Sequence, residues 1–391
     1  MANRKKVSRR TFLRGTGAVL VVAIAGGTWR ACDQGVFSTG EGPAFEPWEQ
    51  WRGEDQQGPL ALVSAAILAA NPHNTQPWLF RVSEDRIDLF AHKERNLGPI
   101  DPLLREMHTG LGCALENLLL AADAKGYAWN LTLEPNGPED NQVARVNLSP
   151  APPRPSKLYE AIPNRHTNRG PYERQKRVPG DVLGELAELG SDLPEVRVLW
   201  IQGEERRRIG DLLVGATEAI IQDEEQAAAS FRWYRHDWDM IQERRDGLTL
   251  DSLGLPAPIR IAAKMLPDFS RGEFDKGWLT NTRDVHVATA SAFGLLVVAD
   301  SRDNKLRIQG GRLWQRMHLW GTAKGLAMQP LSQITERVDR EASLKLEPRF
   351  AHGLREIVGS TERDVLLLFR LGYPTQEALK SPRRPVKDVL L

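Results

Sequence analysis

Residues 163–172, PNRHTNRGPY, place Arg165, His166, Thr167 and Arg169 within five positions after a proline-marked turn. A guanidinium fork matches phosphate oxygens in bidentate fashion, and charge-assisted hydrogen bonds are about twice as strong as neutral ones. The threonine hydroxyl and the backbone N–H groups of the following turn could complete an anion cradle. A second segment, 71–78, reads NPHNTQPW, and Asn71, His73, Asn74 and Gln76 supply amide and ring groups. Each amide carries both a donor and an acceptor, which suits the heteroatom edge of a planar ligand. A third segment, LKSPRRPVKDV, sets Lys380, Arg383 and Arg384 near the C-terminus. Taken singly, each could be a solvated polar loop or a basic tail.

The totals exclude several other chemistries. Lys plus Arg number 52 and Asp plus Glu 51 in a chain of 391 residues, so no basic excess points to nucleic acid. Two cysteines, Cys32 and Cys113, support neither a disulfide framework nor a thiolate metal cage. The histidines form no H-E-x-x-H pattern, and there is neither a G-x-S-x-G elbow nor a Walker loop, so no metal ligand set and no side-chain nucleophile is assigned.

Elements that could position the three segments follow from periodicity. Leu60 to Ala70 reads as an apolar helix, and WLFRV with RIDLFAH as a hairpin. Leu111, Ala114, Leu115, Leu118, Leu119 and Ala122 line one face of a helix that Gly126 ends. VARVNL closes this half as a strand, and SPAPPRPSK at 149–157 is a proline-rich linker. Beyond it lie a helix over about 179–190, the strand EVRVLWI, a helical stretch over 204–245 with four aromatics in FRWYRHDWDM, and the buried strand FGLLVVADS. GLGCALENLLLAADAKGYA at 110–128 matches QGGRLWQRMHLWGTAKGLA at 309–327, with a shared first-turn glycine and a shared A-K-G exit. That order of helix, cap and strand points to an internal duplication.

The chain opens with MANRKKVSRRTFLRGTGAVLVVAIAGG, in which Ser8-Arg9-Arg10-Thr11-Phe12-Leu13 precedes a short, weakly apolar run. This resembles a twin-arginine export signal. It implies passage through the twin-arginine translocase to the periplasm or cell envelope, with cleavage, lipidation at Cys32 and retention as an anchor left open.

The R-H-T-x-R cluster, the N-x-Q-P-W turn, the AKGLAMQPLSQ helix exit and the late R-R-P together resemble the FMN-dependent nitroreductase family. The twin-arginine leader and doubled layout resemble its Acg-like branch, in which one chain imitates the usual homodimer. The resemblance implies an α+β, nitroreductase-like fold of two pseudo-repeated halves, each with a mostly antiparallel sheet flanked by helices. The expected boundaries are a leader at 1–32, an extended arm at 33–54, half one at 55–148, the linker, and half two at 158–391 with a helical lid inserted at 204–284. It also implies FMN, held by Arg165, His166, Thr167 and Arg169 at the phosphate and ring edge. Asn71, His73, Asn74 and Gln76 would come from the other half, Leu331 and Ser332 from the helix exit, and Arg383 from the late basic pair. The serines usual in the family's turn are replaced here by Asn71 and Pro72. The activity implied is hydride transfer from NAD(P)H to flavin and on to a nitroaromatic or quinone acceptor, on a monomer. The alternative is a protein that sequesters an occluded flavin with little or no turnover.

Overall fold

The computed structural model describes residues 28–201, 203–267, 269–359 and 363–391. The twin-arginine segment lies outside them. In chain order the helices that matter are α1 (Leu60–Ala66), α2 (Arg105–Ala124), α3 (Gly180–Glu188), α4 (Glu205–Gln222), α5 (Glu224–Phe231), α6 (Ala257–Met265), α7 (Arg271–Asn281), α8 (Asn304–Ala323), α9 (Gln333–Leu344) and α10 (Arg349–Val358). The strands are β1 (Trp78–Ser83), β2 (Arg86–Ala91), β3 (Tyr127–Leu133), β4 (Gln142–Pro150), β5 (Arg197–Ile201), the two-residue pair β6 (Tyr234–Arg235) and β7 (Leu248–Thr249), β8 (Ala292–Val298), β9 (Ala327–Pro330) and β10 (Asp364–Gly372).

Two four-stranded sheets run β1-β2-β4-β3 and β5-β8-β10-β9, antiparallel throughout. In each the first two strands form a pair, the long helix follows, and two further strands close the other edge. The fold is therefore α+β with two pseudo-repeated halves. Half one joins β1 to β2 by the two-residue turn Glu84-Asp85, because Ser83 pairs with Arg86. Half two opens the same connection between β5 and β8 into an excursion that carries α4 to α7. The insertion thus occupies the place of a hairpin turn.

β8 shows why such a strand reads as an unbroken apolar run. Ala292, Leu296 and Val298 face the central core, whereas Phe293, Leu295 and Val297 face the outer layer with Ile209, Leu213 and Phe350. The strand is covered on both faces, so no polar alternation survives. Gly294 admits the Phe369 ring where a Cβ would stand 2.1 Å from it.

The two long helices are each 20 residues, begin at Arg105 and Asn304, and keep a constant separation of 199 residues to their ends. They cross where Gly112 meets Gly311. A Cβ on Gly112 would lie 2.1 Å from the Ile308 carbonyl oxygen, and one on Gly311 would lie 2.0 Å from that of Thr109. These contacts are related by the same 199-residue step, so the crossing lies on a pseudo-twofold axis between the halves. Only glycine permits that backbone approach. Beside it Gln315 donates to Asn117 (2.8 Å), Asn117 donates to the Ala65 carbonyl (2.9 Å), and Gln315 accepts from the Ala70 N–H (3.1 Å).

The structure departs from the sequence reading in three places. The stretch 33–54 is not an extended arm: it turns through a short helix, Glu46–Glu49, and buries Phe45, Trp48 and Trp51. Three tryptophan- and phenylalanine-sized side chains supply enough apolar area to fold it onto the body. The stretch 204–245 is not one helix, because Asp223 stops α4 and caps α5 by accepting from the Gln226 N–H. Finally, β3 was not read as a strand; as an edge strand with half-exposed alternation, YAWNLTL lacks an apolar run.

Replacing Gly112 or Gly311 by alanine should destabilise the fold by about 1–3 kcal/mol, the usual cost of overpacking. Gly184→Ala, in α3 with open space around it, should be neutral or stabilising by up to about 1 kcal/mol. Chemical denaturation of the three variants checks this; an unaltered Gly311→Ala midpoint would contradict the crossing.

Candidate functional site

A cavity of about 410 Å³ lies between the halves, under the insertion. Its volume falls within the roughly 300–1,000 Å³ usual for small-molecule sites. Half one contributes Asn71 and His73 with Thr109, Gly110 and Cys113 of α2; half two contributes Thr167, Arg169, Leu331 and Ser332. Six of the residues singled out from sequence therefore share one cavity. The roof comes from the insertion, through Leu255, Phe269, Phe274 and Trp278. The aromatic stretch 231–238 does not form it. Phe231 and Tyr234 instead pack against Phe274 from behind, at ring separations of 5.5 and 5.1 Å.

The turn that brings Asn71 and His73 to the cavity is held in an unfavourable backbone. His73, Asn74 and Gln76 adopt φ of 44°, 57° and 52°. Positive φ in non-glycine residues persists only where surroundings over-determine it. Here the Asn71 side-chain oxygen accepts from the Gln76 N–H (2.8 Å), and Gln76 donates to the Arg245 carbonyl (2.7 Å) and accepts from the Arg384 N–H (2.8 Å). Asn74 donates to the Pro382 carbonyl (2.9 Å) and accepts from Arg383. Both amides are thus used to tie the turn to the insertion and the C-terminal segment. Neither lines the cavity, nor do Arg165, His166 and Arg383, and in this structure the two amides hold the turn in position. His73 reaches Ser230 of α5 at 3.1 Å, and burial with Arg169 nearby lowers its pKa to about 4, which keeps the ring neutral.

Arg165 and Arg383 are buried and Arg169 half-buried, all without acids. Arg165 donates to the Leu68 carbonyl (2.8 Å) and Arg169 to that of Ser252 (3.0 Å). Arg383 donates to Ser381 Oγ (3.1 Å) and the Pro382 carbonyl (2.9 Å) and lies over the Trp48 ring at 4.9 Å. Among the described residues no carboxylate forms an ion pair with any of the three. Burial lowers the pKa of Arg165 and Arg169 to about 10 and pushes that of Arg383 well down. Arg165 stands close enough to cavity-lining Cys113 for each to affect the other's ionisation. The Nε atoms of Arg165 and Arg383 and Nδ1 of His166 are buried with no partner. Trp48 packs edge-on against His166 at 4.5 Å, so the folded arm closes this side of the site. Burying several cations unpaired is costly, and an anion is what their orphaned N–H groups require. The residues present therefore fit a phosphate-bearing ligand whose planar, mixed-polarity part occupies the cavity.

The pseudo-twofold step shows how the two poles differ among the described residues. Positions Glu106, Thr109, Gly110 and Cys113 of α2 correspond through the 199-residue step to Lys305, Ile308, Gln309 and Arg312 of α8. Where Cys113 leaves room, Arg312 is buried against Glu116 at 2.8 Å, and Arg316 reaches the same carboxylate at 2.6 Å. Where the cavity wall has Cys113, the counterpart position thus carries an ion-paired arginine.

Sequence reasoning missed several participants. Trp48 and Trp314 were hidden in segments read as arm and core. Arg370, fully buried in β10, donates to the Gly170 and Gln329 oxygens (both 2.7 Å) and fixes the loop after Arg169. An arginine inside the apolar LLLFRLGY run was the available signal.

No model of a known protein family matches the chain. The chain is 23% identical to the provisionally named NAD(P)H nitroreductase Rv3131 of Mycobacterium tuberculosis, over 86% of this chain and 90% of that protein. It is 33% identical to the protein named acg of the same organism over 91 residues, 23% of this chain and 28% of that one. Among solved structures, the FMN-dependent nitroreductase NfnB of Mycobacterium smegmatis aligns at 19% identity and a TM-score of 0.38, over 59% of this chain and 96% of that one. A nitroreductase with bound FMN from Desulfitobacterium hafniense aligns at 14% identity and a TM-score of 0.35, over 60% and 97%.

Proposed function

Taking the chain as a nitroreductase-family protein of the kind its full-length mycobacterial relative represents, we propose that it is an FMN-dependent oxidoreductase that takes hydride from NAD(P)H and passes it to a quinone or nitroaromatic. The observation that carries this reading is the set of acid-free arginines, two buried and one half-buried, beside a cavity that both halves line. Arg165, Arg169 and Arg383 would hold the phosphate, with His166 and Thr167 beside them. Asn71, His73, Leu331 and Ser332 would border the ring, while Asn74 and Gln76 keep the turn and Arg383 in place. The bound flavin supplies the electron chemistry, and the protein supplies anchoring, orientation and shelter from water. Neutral His73 offers a hydrogen bond without adding charge, and Phe269, Phe274 and Trp278 keep the roof apolar.

A second reading has its own support. Gly254 of the insertion lies against the backbone of Arg169, where a Cβ would come within 2.3 Å, so the roof is seated closely on the arginine loop. A roof this close favours a protein that shelters flavin more than it turns it over. Reaction with NADPH separates the two: an oxidoreductase loses its yellow colour and recovers it with a quinone, and a sequestering protein stays yellow.

We also propose export by the twin-arginine route, on the strength of the Ser8–Leu13 pattern and the weakly apolar run after it. Among the described residues no helix is long and apolar enough to cross a membrane.

Losing one hydrogen bond to a charged group costs roughly 1.5–3 kcal/mol. Arg165→Ala and Arg169→Ala should each weaken FMN binding by roughly ten- to a hundredfold, whereas Arg207→Ala and Arg208→Ala, on the exposed side of α4, should leave it unchanged. Fluorescence titration of the four variants checks this, and equal affinities would remove the phosphate assignment. Replacing Arg9 and Arg10 together by lysine should leave folded protein in the cytoplasm; unchanged fractionation would refute the export route.

A further inference from the structure

Reduction by hydride leaves a proton to be found. A quinone that accepts a hydride gains two electrons and one proton, and needs a second proton to become the quinol. None of the residues assigned above can give it: His73 is already neutral at ordinary pH, the arginines hold their protons, and burial pushes the Cys113 thiol far up.

The cavity wall holds two carboxyl groups that the proposed anchoring does not use. Glu106 stands in the first turn of α2 and Glu336 in the first turn of α9, so one comes from each half. Both line the cavity together with Ser332, and the two carboxyl groups lie close enough for each to act on the other's ionisation. Two carboxyl groups can share a hydrogen bond only when one of them carries a proton. Glu106 Oε1 and Glu336 Oε2 are buried with no other group hydrogen-bonded to them. Among the described residues no cluster of three metal-ligating side chains occurs.

We propose that Glu106 and Glu336 form a proton-holding pair in the cavity wall, which donates the second proton to the acceptor reduced there. In that step the carboxyl O–H bond breaks and a quinol O–H bond forms, while the hydride comes from the reduced flavin. The pair is left doubly ionised until solvent returns a proton. The assignment rests on the oxidoreductase reading for its acceptor, but the shared proton itself stands on this chain alone.

The surrounding charges favour the protonated pair. Asp101 lies behind it and accepts from the Glu106 and Met107 N–H groups at 3.1 and 2.9 Å. Asp339 is neutralised by Arg105, which binds it at 2.7 Å, and Arg307 is turned away to the Ser301 and Leu103 carbonyls at 2.6 and 2.8 Å. On the same face of α9, Arg337 and Arg340 are spent on Asp223. Elsewhere around the cavity stand Arg169, His286, whose burial lowers its pKa, and Glu273 of the roof. Burial, each other and Asp101 push Glu106 well above the carboxylate range, and burial with Asp101 and Asp339 pushes Glu336 to about 7. A general acid is most effective with a pKa near the working pH.

Two measurements on the full chain decide the matter. The first needs no flavin. A carboxyl whose folded pKa is raised gives stability that is complete below its unfolded pKa and is lost as pH rises through the folded one. Buried histidines such as His73 and His166, whose pKa burial lowers, give the opposite slope in all three proteins, so the parent's melting temperature should fall relative to those of E106Q and E336Q as pH rises from about 4.5 through about 7. Identical pH profiles in all three proteins would overturn the shared proton. The second is stopped-flow oxidation of the pre-reduced protein by a soluble quinone. Both variants should slow this step by on the order of a hundredfold, the lower range for a general acid, and lose its pH dependence. Flavin affinity and reduction by NADPH should be unchanged. Unaltered quinone reduction would overturn the donor role while leaving the oxidoreductase reading intact. A chain that binds no flavin would remove that reading and the donor role with it, and the melting profiles would still decide whether the proton is shared.

Discussion

The close crossing of α2 and α8 is the constraint on which the rest depends. Gly112 and Gly311 let two backbones approach until each would-be Cβ meets the other helix's carbonyl oxygen. That approach fixes the axis between the halves, and the axis fixes what can face what. Asn71 and His73 reach the same cavity as Thr167 and Arg169 because the helices beneath them cannot move apart. Asn117 and Gln315 hold the register, since their amides would otherwise be buried without partners.

Two halves of like topology need not keep two like sites. At one pole Arg165, Arg383 and the half-buried Arg169 have no acid partner among the described residues, an arrangement that an anion would complete. At the other, Glu116 takes up Arg312 and Arg316, and the space is closed by internal ion pairs. The insertion reinforces the difference, because it replaces a turn in one half only and roofs one pole only. Strain follows the same division: the three positive-φ residues of the His73–Gln76 turn sit at the open pole, held by the insertion and the C-terminal segment.

Much of this was legible in the sequence, for reasons that can be stated residue by residue. The helix repeat was visible because Gly112 with Gly311, and the A-K-G exits, are fixed by backbone approach and by the positive φ of Gly126 and Gly325, which side-chain drift does not relax. The arginine cluster was visible because R-H-T-x-R concentrates donors in few positions. What stayed hidden depends on distant partners. Asn74 and Gln76 offered donors to a ligand on paper, yet backbone carbonyls from Arg245 and Pro382 claim them, and no local pattern shows that. Glu106 and Glu336, 230 positions apart in the chain, read separately as ordinary helix-start acids that suit the dipole. Trp48 reads as part of an arm because two tryptophans, Trp48 and Trp51, among prolines and glycines carry too short a pattern to mark an element.

The central claim is that two similar halves make one anion-anchored flavin site within one chain. Its most direct test is a titration of the apo-protein with FMN, followed by absorbance and read beside the mass in solution. The account predicts saturation at one flavin per chain on a monomer. Saturation at two flavins per chain, or at one only when chains pair, would contradict it.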